Sequence, residues 1–91
     1  MFVAVVSDVS TDDHRLAVQR LLVQYGFNKV MKDLYESTSI TDTALTRLKR
    51  DIDRATDFYD TIRLYQYPSQ DTLVISSLKE NKWRRLVVRT E

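Results

Sequence analysis

The chain opens with an unbroken apolar run, Phe2 to Ser7 (FVAVVS). The run ends at Asp8, just before an amphipathic helix. A run of this kind predicts a strand that is buried on both faces. Asp8 should then lie where a central strand ends, near a helix N-terminus, which is a common place for ligands in open sheets. Its carboxylate is predicted either to act in catalysis or metal binding, or to close the turn into the helix.

A helix and one or two strands should follow. The helix is predicted to be capped by Ser10 or Thr11 and to end at Gly26, a residue that favours left-handed backbone. The segment Phe27–Tyr35 is interpreted as one long strand, or as two short strands with a bend near Met31–Asp33. The buried stripe of the helix is predicted to contain Val18, Leu21, Leu22 and Tyr25.

The second half repeats the alternation of helix and strand. A strand over Asp60–Tyr67 should end at Pro68, and Leu73–Ser76 and Leu86–Arg89 are short strand candidates. The resulting order, β-α-β(-β)-α-β, predicts an α+β ferredoxin-like sandwich with an extra C-terminal strand or strands. We expect one domain over residues 1–91, with a core at 1–67 and a tail at 68–91. The inner face of the second helix should contain Leu45, Leu48, Ile52 and Ala55.

The amino-acid composition indicates the cellular compartment of the protein. The absence of cysteine excludes disulfides and thiolate zinc sites and fits a reducing cytosol. There is no basic leader segment, and no stretch approaches the ~20 apolar residues of a membrane span. We therefore expect a cytoplasmic protein that does not contact membranes.

The open face of the predicted sheet should also be apolar, because the residues of the first strand point both ways. A chain of 91 residues would not leave such a face in water without a risk of aggregation. A homodimer that packs sheet against sheet is the preferred interpretation. The alternative is that the C-terminal tail of the same chain covers the face.

Several segments resemble the CRISPR-associated Cas-two family. Together they cover about residues 1–67 in unbroken order. They are Val5–Ser10 with Asp12–Arg15 and Val18, the helix end Leu22 and Tyr25–Gly26, the strand Val30–Glu36, the helix start Thr41–Leu48, and the strand Asp60–Tyr65.

The resemblance implies a homodimer that bridges the Cas-one integrase and holds duplex DNA while spacers are inserted into a CRISPR array. It also implies that nuclease activity on RNA or duplex DNA, dependent on a metal, is optional. Asp8 matches the acidic position of the family and is therefore the candidate catalytic residue.

Asp8 is also the candidate ligand for Mg²⁺, an ion that neutralises charge during phosphodiester hydrolysis. One carboxylate per chain is a sparse site, so two Asp8 residues facing each other in a dimer would hold the ion jointly. No second buried acid is evident. Asp12 and Asp13 lie in the first turn of the helix, where its dipole favours acids, and are interpreted as caps. His14 is a general base or, in preference, a solvated helix residue without an acid beside it.

Basic residues suggest contact with phosphates. Arg15, Arg84 and Arg85 are the main candidates for nucleic-acid binding, and Arg47, Arg50 and Arg54 form a secondary stripe on the second helix. The alternative for the stripe is a solvated charged face. Trp83 and Tyr67 could stack on bases or anchor the tail to the core.

Three functions remain open at this point. The first is a DNA-binding scaffold in CRISPR adaptation. The second is a magnesium-dependent endonuclease, acting on single-stranded RNA or duplex DNA, and includes a toxin-like RNase. The third is a module that binds a small ligand or a partner protein, which is disfavoured because Gly26 is the only glycine and no phosphate-cradling loop can be built.

Overall fold

The computed structural model describes residues 1–89 and has the predicted alternation of strands and helices. All strand pairs are antiparallel, in a six-stranded sheet of order β2-β3-β1-β4-β5-β6. The fold is a ferredoxin-like α+β arrangement with two extra strands, as predicted. The elements are β1 (Phe2–Asp8), α1 (Asp12–Gln24), β2 (Asn28–Met31), β3 (Leu34–Ser37), α2 (Asp42–Ala55), β4 (Thr61–Ser69), β5 (Thr72–Lys79) and β6 (Lys82–Arg89).

The central strand β1 is buried on one face only. Val3, Val5 and Ser7 are buried under the helices, whereas Val6 on the other face is 42% exposed. The prediction of burial on both faces is therefore wrong for the single chain, because side chains alternate along a strand and the helices cover only one side. The core contains residues from both helices and from the central strands: Val3, Val5, Val18, Leu22, Leu45, Leu48, Ile52, Ile62, Leu64 and Leu78.

The first helix has well-formed ends. Thr11 is the N-cap, and its hydroxyl accepts a hydrogen bond from the backbone N–H of His14. At the other end Gly26 has φ +88°, its N–H donates to the Val23 carbonyl, and the Phe27 N–H donates to the Leu22 carbonyl. This pair of hydrogen bonds is the Schellman arrangement, so the predicted role of Gly26 is confirmed.

The segment after α1 forms two short strands with a bend between them. The bend contains Asp33, which has φ +64°. This confirms the second of the two predicted alternatives for Phe27–Tyr35. Tyr35 and Ser37 are the buried side chains of β3 and point into the core.

The C-terminal region is more regular than predicted. Pro68 does not end its strand, because β4 continues to Ser69, but the pairing of β4 with β5 shifts register between Gln66 and Ser69. Such an irregularity is where a strand tolerates proline. The hairpin between β5 and β6 turns through two residues, Glu80 (φ +53°) and Asn81 (φ +61°), which is the type I′ geometry that matches strand twist.

The face of the sheet opposite the helices is open and largely apolar. Residues 68–89 extend the sheet beyond β4 and do not fold over this face, so the alternative of a covering tail is wrong for the described residues. Phe2 and Tyr67 form an aromatic pair on this face, with ring centroids 6.1 Å apart. Other apolar side chains on it are Ala4, Val6, Met31, Leu34, Tyr65, Leu73, Ile75, Leu86 and Val88.

Neither helix among residues 1–89 is long and apolar enough to cross a membrane.

Candidate functional site

Asp8 lies at the end of β1, on the open face of the sheet and opposite Thr61 of β4. Its side chain is exposed, and within residues 1–89 its carboxylate forms no hydrogen bond or ion pair. It therefore does not close the turn into α1. The carboxylate is accessible to a ligand, but among the described residues it belongs to no group of three or more acids and histidines that could hold a metal ion.

Asp60, which precedes β4, closes the turn instead. Its side chain is fully buried. One carboxylate oxygen, Oδ1, accepts hydrogen bonds from the backbone N–H of Ser10 at 2.8 Å and from its hydroxyl at 2.9 Å. The other, Oδ2, accepts from the backbone N–H of Asp57 at 2.9 Å and lies 2.9 Å from His14 Nδ1. Asp60 thus joins the loop before α1 to the loop after α2.

The interpretation of His14 as a solvated residue without an acid beside it is wrong. His14 is half-buried, and its ring contacts the Asp60 carboxylate. An ionised carboxylate can only accept hydrogen bonds, so Nδ1 of His14 must carry the proton. In the neutral ring Nε2 is then free to accept a proton or bind a metal, because the buried acid fixes the tautomer.

Two opposing effects set the ionisation of Asp60. Burial alone would raise the pKa of this carboxyl group, but the hydrogen bonds from the Ser10 and Asp57 backbone and from the Ser10 and His14 side chains hold its pKa below the ordinary value. Asp60 is therefore ionised at neutral pH, and all of its hydrogen-bonding capacity is used.

His14, Asp57 and Asp60 form a group that could hold a metal ion. Their ligand atoms lie within 4.8 Å of one another. However, the histidine atom that faces both carboxylates is the protonated Nδ1, which would have to lose its proton to bind a metal. Asp60 would also have to give up bonds to Ser10, Asp57 or His14 to coordinate an ion. Mg²⁺ prefers oxygen ligands in an octahedron, so the arrangement fits it less well than an ion that accepts histidine nitrogen.

Some of the predicted nucleic-acid-binding residues have partners within the chain. Arg15 is paired with Asp12 and lies 3.5 Å from the Val9 carbonyl oxygen. This contact holds the guanidinium against the loop that follows β1 and offsets part of its charge. Arg47, Arg50 and Arg54 are exposed on α2, and Arg54 lies beside the groove between α1 and α2.

Arg84 and Arg85 lie on opposite faces of β6. Arg85 is paired with the buried Ser76 and so lies on the helix side of the sheet, whereas Arg84 is paired with Ser77 on the open side. Trp83 packs against the core, as an anchor for the hairpin. The two adjacent arginines therefore extend from opposite faces of β6 and do not form a single basic patch.

The motifs in residues 1–67 had already suggested a protein family. The family model described as CRISPR associated protein Cas2 matches residues 1–86. The chain belongs to the Cas2 family. No curated protein gives a significant match to it.

Membership of the Cas2 family confirms the resemblance drawn from residues 1–67 and extends it through most of β6. It supports a CRISPR-associated role. The hydrogen-bonded cluster of Asp60 with Ser10, His14 and Asp57, called the Asp60 cluster below, was not predicted from the sequence. The predicted topology contained a signal for it, because the fourth strand of a ferredoxin-like fold runs antiparallel beside the first. An acid at the start of that strand must then lie next to the loop that leaves β1.

Proposed function

We propose that this Cas2-family chain is a DNA-binding scaffold in CRISPR spacer acquisition, acting in the cytoplasm as a homodimer together with the Cas-one integrase. The observation that carries the proposal is the family match over residues 1–86. The catalytic step of integration belongs to the integrase in this proposal. The chain itself supplies a rigid sheet and basic side chains.

The open face of the sheet supports the homodimer. It presents a largely apolar surface in which Val6, Tyr67 and Leu86 are 42%, 52% and 57% exposed. Two copies that pack through this face would remove these side chains from water. Light scattering at micromolar concentration should then give the mass of a dimer, and a homogeneous monomer would contradict the proposal.

Arg85 on the helix side of β6 and the arginines of α2 would stay accessible in such a dimer, and they support binding of duplex DNA through phosphates. Such binding should weaken steeply with salt and depend little on sequence. The variant Arg84→Gln/Arg85→Gln should bind duplex more weakly and with a shallower salt dependence. A matched control is Lys29→Gln/Lys32→Gln, which removes the same charge from exposed positions at the opposite edge of the sheet.

The decisive experiment reconstitutes the chain with the integrase and measures insertion of a labelled duplex into a repeat. The arginine variant should lose integration while the lysine control retains it. Integration that proceeds equally well without the chain would refute the scaffold role.

A magnesium-dependent endonuclease, acting on single-stranded RNA or duplex DNA, is the second candidate and includes a toxin-like RNase. It is favoured by the exposed carboxylate of Asp8 at the end of the central strand, which has no ion-pair partner among residues 1–89. When bound, Mg²⁺ would supply charge neutralisation at the scissile phosphate, and Asp8 of each copy would hold it. Asp8→Asn, nearly the same in shape, should then abolish cleavage while leaving the dimer and integration intact. Unchanged cleavage would remove Asp8 from the site.

A further inference from the structure

A small cavity lies between α2 and the β5–β6 hairpin, away from Asp8 and from the Asp60 cluster. Its volume is about 180 Å³, and it is lined by Lys49, Ser76, Trp83, Arg84 and Arg85. Ligand pockets for drug-sized molecules are larger, roughly 300–1,000 Å³. The cavity is therefore suited to a small group, and its polar lining is basic or neutral.

Lys49 is the central residue of this cavity. It is half-buried, its Nζ donates a hydrogen bond to the Ser76 hydroxyl at 3.1 Å, and it lies 5.8 Å from the centre of the Trp83 ring. An ammonium group has three N–H donors, so this contact uses one of them. The serine hydroxyl accepts from Lys49 and keeps its own O–H available to donate.

The charge of Lys49 has no acidic partner within residues 1–89. None of the ion pairs in that range includes it, and Asp53, one turn further along α2, forms no ion pair with it. Burial, and then the nearby Arg85 guanidinium, lower the pKa of Lys49. An ammonium group that is partly desolvated beside a second cation is unfavourable unless an anion joins it.

We propose that this cavity binds a phosphate group through Lys49, Ser76 and Arg85, with Trp83 as its wall. The anion site itself is inferred from the cavity alone. That the phosphate belongs to a nucleic-acid backbone rests on the proposed function. The three donors come from α2, β5 and β6. A bound phosphate would therefore stabilise the contact between the helix and the hairpin.

A purely structural role for Lys49 has a different consequence. If the lysine served only to anchor the hairpin through Ser76 and Trp83, an anion would add nothing, and glutamine could keep the hydrogen bond to Ser76. The two roles are therefore separated by the response to phosphate.

Trp83 is the only tryptophan of the chain, so its fluorescence reports directly on the cavity. The intact chain is titrated with inorganic phosphate, with sodium chloride at equal ionic strength as the reference, and separately with a short duplex DNA. The same titrations are made on Lys49→Gln, on Arg85→Gln and on the control Lys29→Gln, which removes one charge at the far edge of the sheet. Circular dichroism establishes that each variant is folded, and the exposed Arg85 provides a variant that does not disturb the core.

Inorganic phosphate should change the Trp83 signal of the wild-type chain and of Lys29→Gln, and the change should be lost in Lys49→Gln and reduced in Arg85→Gln. The affinity for duplex should fall about tenfold in Lys49→Gln, and the slope of its salt dependence should fall by about one. A phosphate response without duplex binding would support the anion site and refute the nucleic-acid role. Duplex binding that is the same in Lys49→Gln, together with no phosphate response, would overturn the site and leave the scaffold proposal intact.

Discussion

Replacing Asp60 by asparagine should destabilise the chain strongly, although the two side chains have almost the same shape. The amide oxygen can still accept the two hydrogen bonds from Ser10, but they lose the assistance of a negative charge, which costs about 0.5–1 kcal/mol each. The amide nitrogen then faces the Asp57 N–H, where neither group can accept. His14 can adapt by moving its proton to the other nitrogen, so its contact is retained.

The orphaned Asp57 N–H adds about 1 kcal/mol, near the lower end of the usual cost, because it is only partly buried. The total loss is therefore about 2–3 kcal/mol, which for a domain of this size lowers the melting temperature by roughly 10–20 °C. Urea unfolding followed by Trp83 fluorescence measures the loss. Asp53→Asn, an exposed acid of α2, is the matched control and should change the stability by less than about 0.5 kcal/mol.

Acid provides an independent check of the same contact. The pKa of Asp60 is lowered in the folded chain, so its charge stabilises the fold above the unfolded pKa of about 3.9, and this contribution is lost as the pH falls through the lower folded pKa. The difference in stability between wild type and Asp60→Asn should therefore be large near neutral pH and shrink as the pH falls below the unfolded pKa of about 3.9. A difference under about 0.5 kcal/mol at neutral pH, or one that does not depend on acid, would refute the assigned role of Asp60.

Three further changes have defined outcomes. Lys49→Met removes the penalty of burying a charge but also the hydrogen bond to Ser76, so its defined outcome is a pH dependence: because burial lowers the pKa of Lys49, the stability of the variant relative to wild type should fall as the pH rises through the folded pKa, and a difference in urea unfolding that does not change with pH would contradict it. Glu80→Asn/Asn81→Gly should stabilise the β5–β6 hairpin by about 0.5–1 kcal/mol, since both positions have positive φ, and an unchanged thermal midpoint would argue against a type I′ turn. Gly26→Ala should cost about 1 kcal/mol in the same assay because of its φ of +88°, even though a Cβ would meet open space, and a neutral result would show that the backbone relaxes.

The fold was largely predictable because local signals agreed with one another. Thr11 and Gly26 mark the ends of α1, and the spacing of Leu45, Leu48 and Ile52 marks the buried face of α2. The extent of the last hairpin was not predictable in the same way. Its turn contains Glu80 and Asn81 in left-handed backbone, where sequence patterns favour glycine, so the continuous pairing from Thr72 to Arg89 had no clear marker.

The candidate site was also predictable only in part. The exposed position of Asp8 follows from the end of the apolar run, which the sequence displays directly. The cluster around Asp60 depends on four hydrogen-bond donors. Three come from the loops before α1 and after α2, and the fourth is His14 of α1. Ser10 and Asp60 are about 50 residues apart in the chain. Periodicity does not report contacts of that kind, since they exist only once β1 and β4 lie side by side.

The position of β6 at the edge of the sheet affects how its arginines should be tested. An edge strand presents unpaired backbone N–H and C=O groups, and strands of other molecules can add to it. Along β6 such pairing is opposed by the charges of Lys82, Arg84, Arg85 and Arg89. Two of these side chains, Arg84 and Arg85, are proposed to contact phosphates, and they therefore also oppose aggregation of separate molecules through this edge. A variant that lacks them can lose DNA binding simply by self-association, so its solubility and particle size need to match those of the wild-type chain before its affinity is compared.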